Sequence, residues 1–248
     1  MEKASLIGIA LGVSALVGGT LLEGGNITFI LQPAAALIVF GGTIGATLLS
    51  FTLRDVLLAL GSLKEVFFKN ETRAYNVWIN QIVSLAHLSR KKGLVTLEPH
   101  LMDINDPFFR KTLSLAIDGI SPRLLRETLE EENMTFEDVR LRQSRVFETA
   151  GGFAPTIGII GAVIGLIQVM QNLSEPAKLG QGIAVAFVAT VYGVGVANLL
   201  LLPISKKLKN SLMKEIKFRT MIVEAVIGIQ SGINPHYLKE KLLAFVEK

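Results

Sequence analysis

The chain has 248 residues, half of them hydrophobic, and its mean hydropathy is +0.49. A water-soluble domain of this length is rarely so apolar, so the composition indicates an integral membrane protein. The absence of cysteine excludes disulfides and thiolate metal sites, and the three histidines are too scattered for a zinc site. The net charge of +4 fits the basic bias of cytoplasmic segments, so we do not expect nucleic-acid binding.

Four apolar stretches predict four transmembrane helices, because a helix needs about 20 apolar residues to cross a bilayer. They cover residues of about 4–22, 33–52, 151–171 and 182–203. The first stretch is expected to remain in the protein as a helix, because it has no convincing signal-peptide cleavage site. Pro33 suits the first turn of the second helix, where its missing N–H needs no partner.

Residues 53–149 separate the second span from the third and predict a helical domain. Amphipathic patterns predict three helices there, over residues 53–69, 71–92 and 107–145. Breaks are expected at Gly93, at residues 105–107 and at residues 121–122, with Ser121 as an N-cap. The first of these helices is predicted to lie either along the membrane surface or inside the domain.

The distribution of basic residues predicts the topology, because cytoplasmic segments carry most of the Lys and Arg. The insert 53–149 holds fourteen of them, the helical tail 205–248 holds nine, and Lys3 adds one. These are 24 of the 25 basic residues, and only Lys178 falls on the other side. The insert, the tail and both termini are therefore expected to lie in the cytoplasm.

The expected fold class is an all-α integral membrane protein with four transmembrane helices. A helical cytoplasmic domain is inserted between helices 2 and 3, and a helical cytoplasmic tail follows helix 4. The predicted domains are residues 1–52, 53–149, 150–204 and 205–248. Such a chain is expected to cross a membrane several times.

The sequence shows no catalytic motif, since it lacks a phosphate-binding loop and a nucleophile elbow. We therefore expect neither an enzyme nor a cofactor. The spans contain no ionisable residue, although such residues normally mark ion pathways. The chain is predicted to be either a passive scaffold or part of a pore whose acid comes from a partner subunit.

Two prolines and one threonine interrupt the apolar pattern of the last two spans. Pro155 and Pro203 lie near the cytoplasmic ends, where each marks a helix end or mild kink, or acts as a hinge that lacks one hydrogen bond. Thr190 lies near the middle of the fourth span. Its hydroxyl either bonds to a carbonyl one turn back or supplies an oxygen to a cation.

A charged cluster surrounds Gly93 in the cytoplasmic insert. It contains Arg90, Lys91, Lys92 and Glu98. One interpretation is a solvated helix end, and the other is an electrostatic docking surface for a soluble partner.

Four stretches carry a family resemblance. They are PAAALIVFGGTIGA at 33–46, LSRKKGLVTLE at 88–98, APTIGIIGAVIGL at 154–166 and AVAFVATVYGVGVANLLLLPI at 184–204. With them, the chain resembles the MotA/PomA family of flagellar motor stator subunits over nearly its whole length. The resemblance implies that five copies surround two MotB/PomB-like partners, each with one span, an essential aspartate and a peptidoglycan-binding domain. The resemblance also implies a location in the bacterial inner membrane. It implies that protons or sodium ions pass through the complex, that the ring turns, and that the ring engages the rotor protein FliG.

The resemblance also assigns roles to residues outside the ion path. Pro155 and Pro203 match two prolines implicated in the conformational change that is coupled to ion flow. Arg90 and Glu98 match two charged residues that act on the rotor.

The ion path is assigned by the same resemblance. Thr190 matches a hydroxyl position that lines the ion path. We assign Tyr192 to the same path. Ala162 and Ala189 stand where sodium-type members usually have threonine. Fewer hydroxyls leave fewer ligands for Na⁺, so protons are favoured, whereas the stretch YGVGVANLLLLPI is closer to sodium-type members.

Two alternatives to the stator function stay open at this point. One is an ExbB/TolQ-like energiser of outer-membrane transport, although two spans before the insert and the context of Pro155 and Pro203 argue against it. The other is a membrane scaffold that conducts no ions.

Overall fold

The computed structural model describes residues 3–25, 27–68, 75–174 and 176–246, apart from the side chains of Lys3 and residues 176–178. The described residues form helices and turns without a strand, which confirms the all-α prediction. Four helices are long and apolar enough to cross a membrane: Ala4–Leu22, Pro33–Ser50, Pro122–Gln171 and Leu179–Gln230. Each contains one of the predicted spans, and the second ends at Ser50, two residues earlier than expected.

The chain divides into two compact units, and each combines separate parts of the sequence. The first comprises Met1–Asn70 with Leu141–Asn210, and the second comprises Glu71–Arg140 with Ser211–Lys248. These divisions differ from the sequence-based boundaries after residues 52, 149 and 204. The last two of those boundaries fall inside continuous helices, because a change from polar to apolar side chains does not interrupt backbone hydrogen bonding.

The N-terminal part of the first unit holds three helices. They are α1 (Lys3–Leu22), α2 (Pro33–Ser50) and α3 (Leu53–Phe68), with a short 3-10 helix at Ile27–Phe29. Pro33 occupies the start of α2, as expected, and Leu37–Gly41 forms a π-helical turn inside it. The Thr52 hydroxyl accepts a hydrogen bond from the N–H of Asp55 and donates one to its carboxylate, which fixes the start of α3.

The second unit begins, in its described part, with α4 (Tyr75–Lys92), a 3-10 helix (Leu94–Asp103) and α5 (Pro107–Ile117). Residues 71–74 of the predicted second helix lie outside the described residues. Gly93 separates the first two elements with a φ of 90°, a conformation that favours glycine. Asp106 caps α5 by accepting the Phe109 N–H at 2.9 Å, so the expected break at 105–107 is present.

Two long helical stretches contribute to both units. The first is α6 (Pro122–Gln171), and the Ser121 hydroxyl accepts the Leu124 N–H at 3.4 Å in front of it. The second runs through α7 (Pro176–Val196), a π-helical turn (Ala197–Leu201) and α8 (Leu202–Gln230). The final helix, α9 (Pro235–Leu243), starts after a turn at Gly232.

Aromatic residues form the centre of the second unit. Phe109 and Phe218 are fully buried, and the Trp78 ring meets both edge-on at centroid distances of 6.4 and 5.4 Å. The Arg219 guanidinium lies over the rings of Phe108 and Phe136, at 4.6 and 3.8 Å from their centroids. The same core includes Leu97, which lies between the exposed charges of Arg90 and Glu98.

Candidate functional site

Helices α6 and α7 pack against each other through glycine and alanine. A Cβ placed at Gly158 would lie 2.8 Å from the carbonyl oxygen of Ala189. A Cβ placed at Gly165 would lie 2.7 Å from the backbone nitrogen of Ala186. These backbones approach so closely that larger side chains are excluded, as in tightly packed membrane helices. We call this contact the small-residue seam: Ala154, Gly158, Gly161 and Gly165 of α6 with Gly182, Ala186, Ala189 and Gly193 of α7.

The seam brings Ala162 and Thr190 to the same side of the helix pair. Gly161 opposes Ala189, since a Cβ placed at Gly161 would lie 2.8 Å from the Ala189 Cβ. Ala162 follows Gly161, and Thr190 follows Ala189, so each is rotated by about 100° around its helix axis from a residue of the seam. Because the two helices are antiparallel, both rotations turn the side chains toward the same side of the pair. Ala162 and Thr190 therefore lie at one level on one side, and both are half-buried.

Other residues on that side are left exposed by the part of the chain that the structure describes. Phe187 and Val194 follow the helical spacing of Thr190, while Ile159 and Leu166 follow that of Ala162. All four are exposed, with Phe187 at 71% and Ile159 at 58%. We call these six residues the uncovered face: Ile159, Ala162 and Leu166 of α6 with Phe187, Thr190 and Val194 of α7. It is an apolar surface with one hydroxyl near its centre.

The Thr190 hydroxyl donates to the carbonyl oxygen of Ala186 at 3.4 Å. This is the backbone contact that the sequence offered as the structural alternative for Thr190. The hydroxyl oxygen keeps its acceptor capacity, since a donated hydrogen bond uses only the proton. The Thr190 oxygen can therefore still accept a hydrogen bond from a group outside this chain.

Ala189 and Tyr192, which the resemblance and the sequence assign to the ion path, make contacts with the region of α2. Ala189 is fully buried against α2, with Ala35 and Val39 in the same cluster. The Tyr192 hydroxyl donates to the carbonyl oxygen of Ile30 at 2.6 Å. In this conformation, Ala189 is small because two helices cross there, and Tyr192 joins α7 to the segment that precedes α2.

The segments around the two prolines lie against each other. Pro155 is half-buried inside α6, and Pro203 is an exposed residue in the first turn of α8. A Cβ placed at Gly151, one turn before Pro155, would lie 2.8 Å from the Leu202 Cδ2. Each proline removes one helical hydrogen bond, and the π-helical turn ends two residues before Pro203. Two weakened helical segments thus share one contact.

Polar contacts join the same two helical stretches further along the first unit. The hydroxyls of Ser144 and Ser205 lie 3.0 Å apart and are buried, and the Lys209 ammonium donates to the Glu148 carboxylate at 2.7 Å. Sequence reasoning missed the serine pair, because its members are 61 positions apart and neither has a local signal.

The charged cluster around Gly93 is open to solvent. Arg90 and Glu98 are both exposed, and neither makes an ion pair or hydrogen bond with any other residue that the structure describes. Between them, Leu97 is fully buried in the core of the second unit. The two charges are thus held on a fixed backbone while their side chains stay free to meet a partner.

A three-residue ionic cluster ties three helices of the second unit together. Glu224 of α8 accepts hydrogen bonds from Arg126 of α6 and, at 2.5 Å, from Lys241 of α9. The hydrogen bond from Arg126 holds the pKa of the Glu224 carboxyl below its ordinary value, with a further contribution from Lys241, although partial burial acts in the opposite direction. The cluster lies outside the predicted spans.

The fold defines a helical multi-pass membrane protein, and two family profiles match it. The profile of the MotA/TolQ/ExbB proton channel family matches residues 100–221, and that of the motility protein A N-terminal region matches residues 6–93. Motility protein A of Bacillus subtilis is 35% identical over 246 residues, which cover 99% of this chain and 91% of the relative.

Solved structures agree over the whole chain. The structure of MotAB from C. jejuni superposes with a TM-score of 0.92 at 32% identity, covering 100% of this chain and 96% of that one. The flagellar MotAB stator complex from Bacillus subtilis gives a TM-score of 0.91 at 34% identity, covering 99% and 96%. The chain belongs to the MotA family of flagellar motor stator subunits, which confirms the resemblance. It is thus a multi-pass protein of the inner membrane.

Proposed function

We propose that the chain forms a proton pathway jointly with a MotB/PomB-like subunit, and that the single-span helix of this partner lies on the uncovered face. The observation that carries the proposal is the position of Thr190 and Ala162, side by side at the centre of that face. A carboxylic acid brought there by the partner supplies the titratable group that the spans lack. The chain itself acts as a pore wall and not as an enzyme.

Five copies around two partners is the arrangement that the family resemblance implies for this chain. The uncovered face supports a protein neighbour, because each copy offers a surface with one central hydroxyl among apolar side chains. Both termini lie in the cytoplasm in this arrangement, which the distribution of basic residues favours. Ion flow then turns the ring around the partner.

Protons are favoured over sodium ions as the coupling ion. A dehydrated cation needs several oxygen ligands, whereas a proton needs only the partner's carboxylate. At the level of Thr190, helix α6 contributes only the methyl group of Ala162 to the uncovered face. Ala189 adds no oxygen, and the Tyr192 hydroxyl is engaged by the Ile30 carbonyl.

The exposed charges of Arg90 and Glu98 act on the rotor protein FliG in this proposal. Two observations support this role. Neither charge is paired with a described residue, and Gly93 and buried Leu97 hold the backbone between them. Rim charges of this kind govern association rate and orientation more than affinity.

The partner interface is tested by tryptophan substitution on and off the uncovered face. Val194→Trp places a bulky ring beside Thr190 and is expected to abolish copurification of the partner and swimming. Leu11→Trp is the control, because Leu11 of α1 is a similarly exposed apolar residue. If Val194→Trp binds the partner as well as the control does, the proposed face is wrong.

The coupling ion is tested with Ala162→Thr, which adds a hydroxyl beside Thr190. Wild-type swimming speed is expected to follow the proton gradient and to ignore external Na⁺, while Ala162→Thr gains a dependence on Na⁺. The control is Val163→Thr, which adds a hydroxyl at an exposed neighbouring position. Loss of wild-type motility in sodium-free medium overturns the proton assignment.

A further inference from the structure

The Tyr192 side chain lies on the opposite side of α7 from Thr190. The two residues are two positions apart, which corresponds to a rotation of about 200° around the helix axis. Thr190 belongs to the uncovered face, whereas Tyr192 packs against the buried cluster that contains Ala35, Val39 and Ala189. An effect of Tyr192 on Thr190 therefore passes through α7 itself.

The Tyr192 hydroxyl is engaged by the backbone that precedes α2. It donates to the Ile30 carbonyl oxygen at 2.6 Å and accepts a longer contact from the Gln32 N–H at 3.4 Å. The Ile30 carbonyl also accepts the Gln32 N–H at 3.1 Å. Gln32 stands directly in front of α2, and its side chain makes no capping hydrogen bond. The hydroxyl thus holds α7 against the point where α2 begins.

The Tyr192 ring makes a second contact with α2. It stacks on the Phe40 ring, with 5.8 Å between the centroids and 28° between the planes. Phe40 lies in the π-helical turn Leu37–Gly41 of α2. Phenylalanine at position 192 would keep this stacking and remove the hydroxyl alone, so the two contacts can be separated by experiment.

The hydroxyl contact limits the rotation of α7 about its own axis. The small-residue seam brings α7 close to α6 but offers few interlocking side chains, because glycine and alanine lack them. Toward α2, α7 presents the short apolar side chains of Val185, Val188 and Ala189, whose packing has little directional preference. A hydrogen bond weakens steeply when its angle changes. The bond to Ile30 is therefore the directional contact that specifies how α7 is turned.

We propose that Tyr192 is a positioning residue of the ion path: its hydroxyl fixes the rotation of α7 and thereby the direction in which Thr190 faces the partner's acid. The role of Thr190 in this inference rests on the proposed function. The rotation of α7 is a geometric claim that does not depend on it. Such positioning needs no contact between Tyr192 and the transported ion.

The absence of cysteine in the chain makes the orientation of position 190 measurable. Thr190→Cys supplies a single thiol in the complex purified with a cysteine-free partner, and its rate of reaction with a small water-soluble thiol reagent is recorded. Adding Tyr192→Phe is expected to raise this rate about fivefold, the factor by which losing a hydrogen bond of about 1 kcal/mol shifts an equilibrium. An unchanged rate overturns the proposal.

Two controls separate a rotation of α7 from a general loosening of the protein. Val146→Cys places a thiol in another buried cluster of the first unit and is expected to stay unreactive when Tyr192→Phe is added. Tyr75→Phe removes a phenol hydroxyl that donates to the Lys214 carbonyl at 3.5 Å in the second unit, and it is expected to leave the rate at position 190 unchanged. Equal increases at positions 146 and 190 would contradict the proposal.

Swimming of the Tyr192→Phe strain distinguishes positioning from structural support. A misdirected Thr190 slows proton transfer, so the ratio of swimming speeds in H₂O and D₂O is expected to exceed that of wild type. A loss of stability alone lowers the number of working complexes. Reduced speed with an unchanged ratio therefore refutes the positioning role.

Failure of the proposed function is recognised by other results. These are wild-type motility that requires sodium, or partner binding by the Val194→Trp variant. The thiol rates at position 190 still decide, in either case, whether Tyr192 sets the rotation of α7.

Discussion

Gly158 allows the last two spans to pack closely, whereas Gly152 of the same helix does not contact another helix. Both residues lie in α6, but a Cβ at Gly158 would strike the Ala189 carbonyl at 2.8 Å, whereas a Cβ at Gly152 meets nothing within 4 Å. The seam therefore depends on selected glycines of the same helix. The register of Ala162 against Thr190 depends on it as well.

Gly158→Ala is expected to destabilise the purified complex by about 1–3 kcal/mol, the usual cost of one extra group in a packed interior. The thermal unfolding midpoint measures this change. Gly152→Ala is the matched control and is expected to be neutral or slightly stabilising, since alanine favours helix over glycine. Equal midpoints for the two variants would show that the seam tolerates side chains.

At the scale of single elements, the long helix α6 is the main departure from expectation. It continues through Pro155 for 50 residues, so this proline neither ends the helix nor separates two domains. Proline inside a helix still removes one hydrogen bond, and Pro203 lies just after a π-helical turn. The two sites meet through Gly151 and Leu202, so we expect bending at one to displace the other.

Pro155→Ala restores the missing hydrogen bond and is expected to stiffen α6. Swimming should be lost, while the complex still assembles and its unfolding midpoint stays equal or rises. Thr156→Ala, at the exposed neighbouring residue, is expected to leave swimming intact. Normal motility of the Pro155→Ala strain would remove the hinge from the mechanism.

The ionic cluster of Glu224 predicts a pH effect on the second unit. Glu224→Gln is expected to lower the free energy of unfolding at neutral pH by about 2 kcal/mol, through the loss of charge-assisted hydrogen bonds. Because the folded pKa of Glu224 is lowered, its contribution is present above the ordinary carboxyl pKa and is lost as pH falls through the lowered value.

Unfolding midpoints of wild type and Glu224→Gln, measured against pH, check this sign. The difference is expected to shrink on acidification, and a difference that grows would contradict the assignment. Glu240→Gln serves as control, because Glu240 is an exposed carboxylate of α9 with no described partner.

At the scale of the whole molecule, the chain combines a membrane part without ionisable residues in its spans and a second unit with exposed charges. In the proposed function, ion chemistry and rotor contact therefore belong to different residues, and each needs another protein. In the proposed function, the partner brings the acid to Thr190, and FliG meets Arg90 and Glu98.

Arg90→Glu is expected to reduce torque strongly without affecting assembly, because it reverses a charge that no described residue neutralises. Motor speed under load measures this effect, and charge reversal on FliG is expected to restore part of it. The control is Lys214→Glu, another exposed basic residue of the second unit. Unchanged torque in every FliG background would exclude this contact.

The sequence by itself determined the four spans, the helix breaks at Gly93, 105–107 and 121–122, and the family. These features depend on local signals: hydropathy over about 20 residues, glycine and proline geometry, and side-chain caps. The tertiary structure decided that Ala189 is enclosed by α2, that Ala162 and Thr190 share one side, and that the Tyr192 hydroxyl meets the Ile30 carbonyl. Those facts depend on the register of helix crossings, which is set by contacts between residues far apart in the chain.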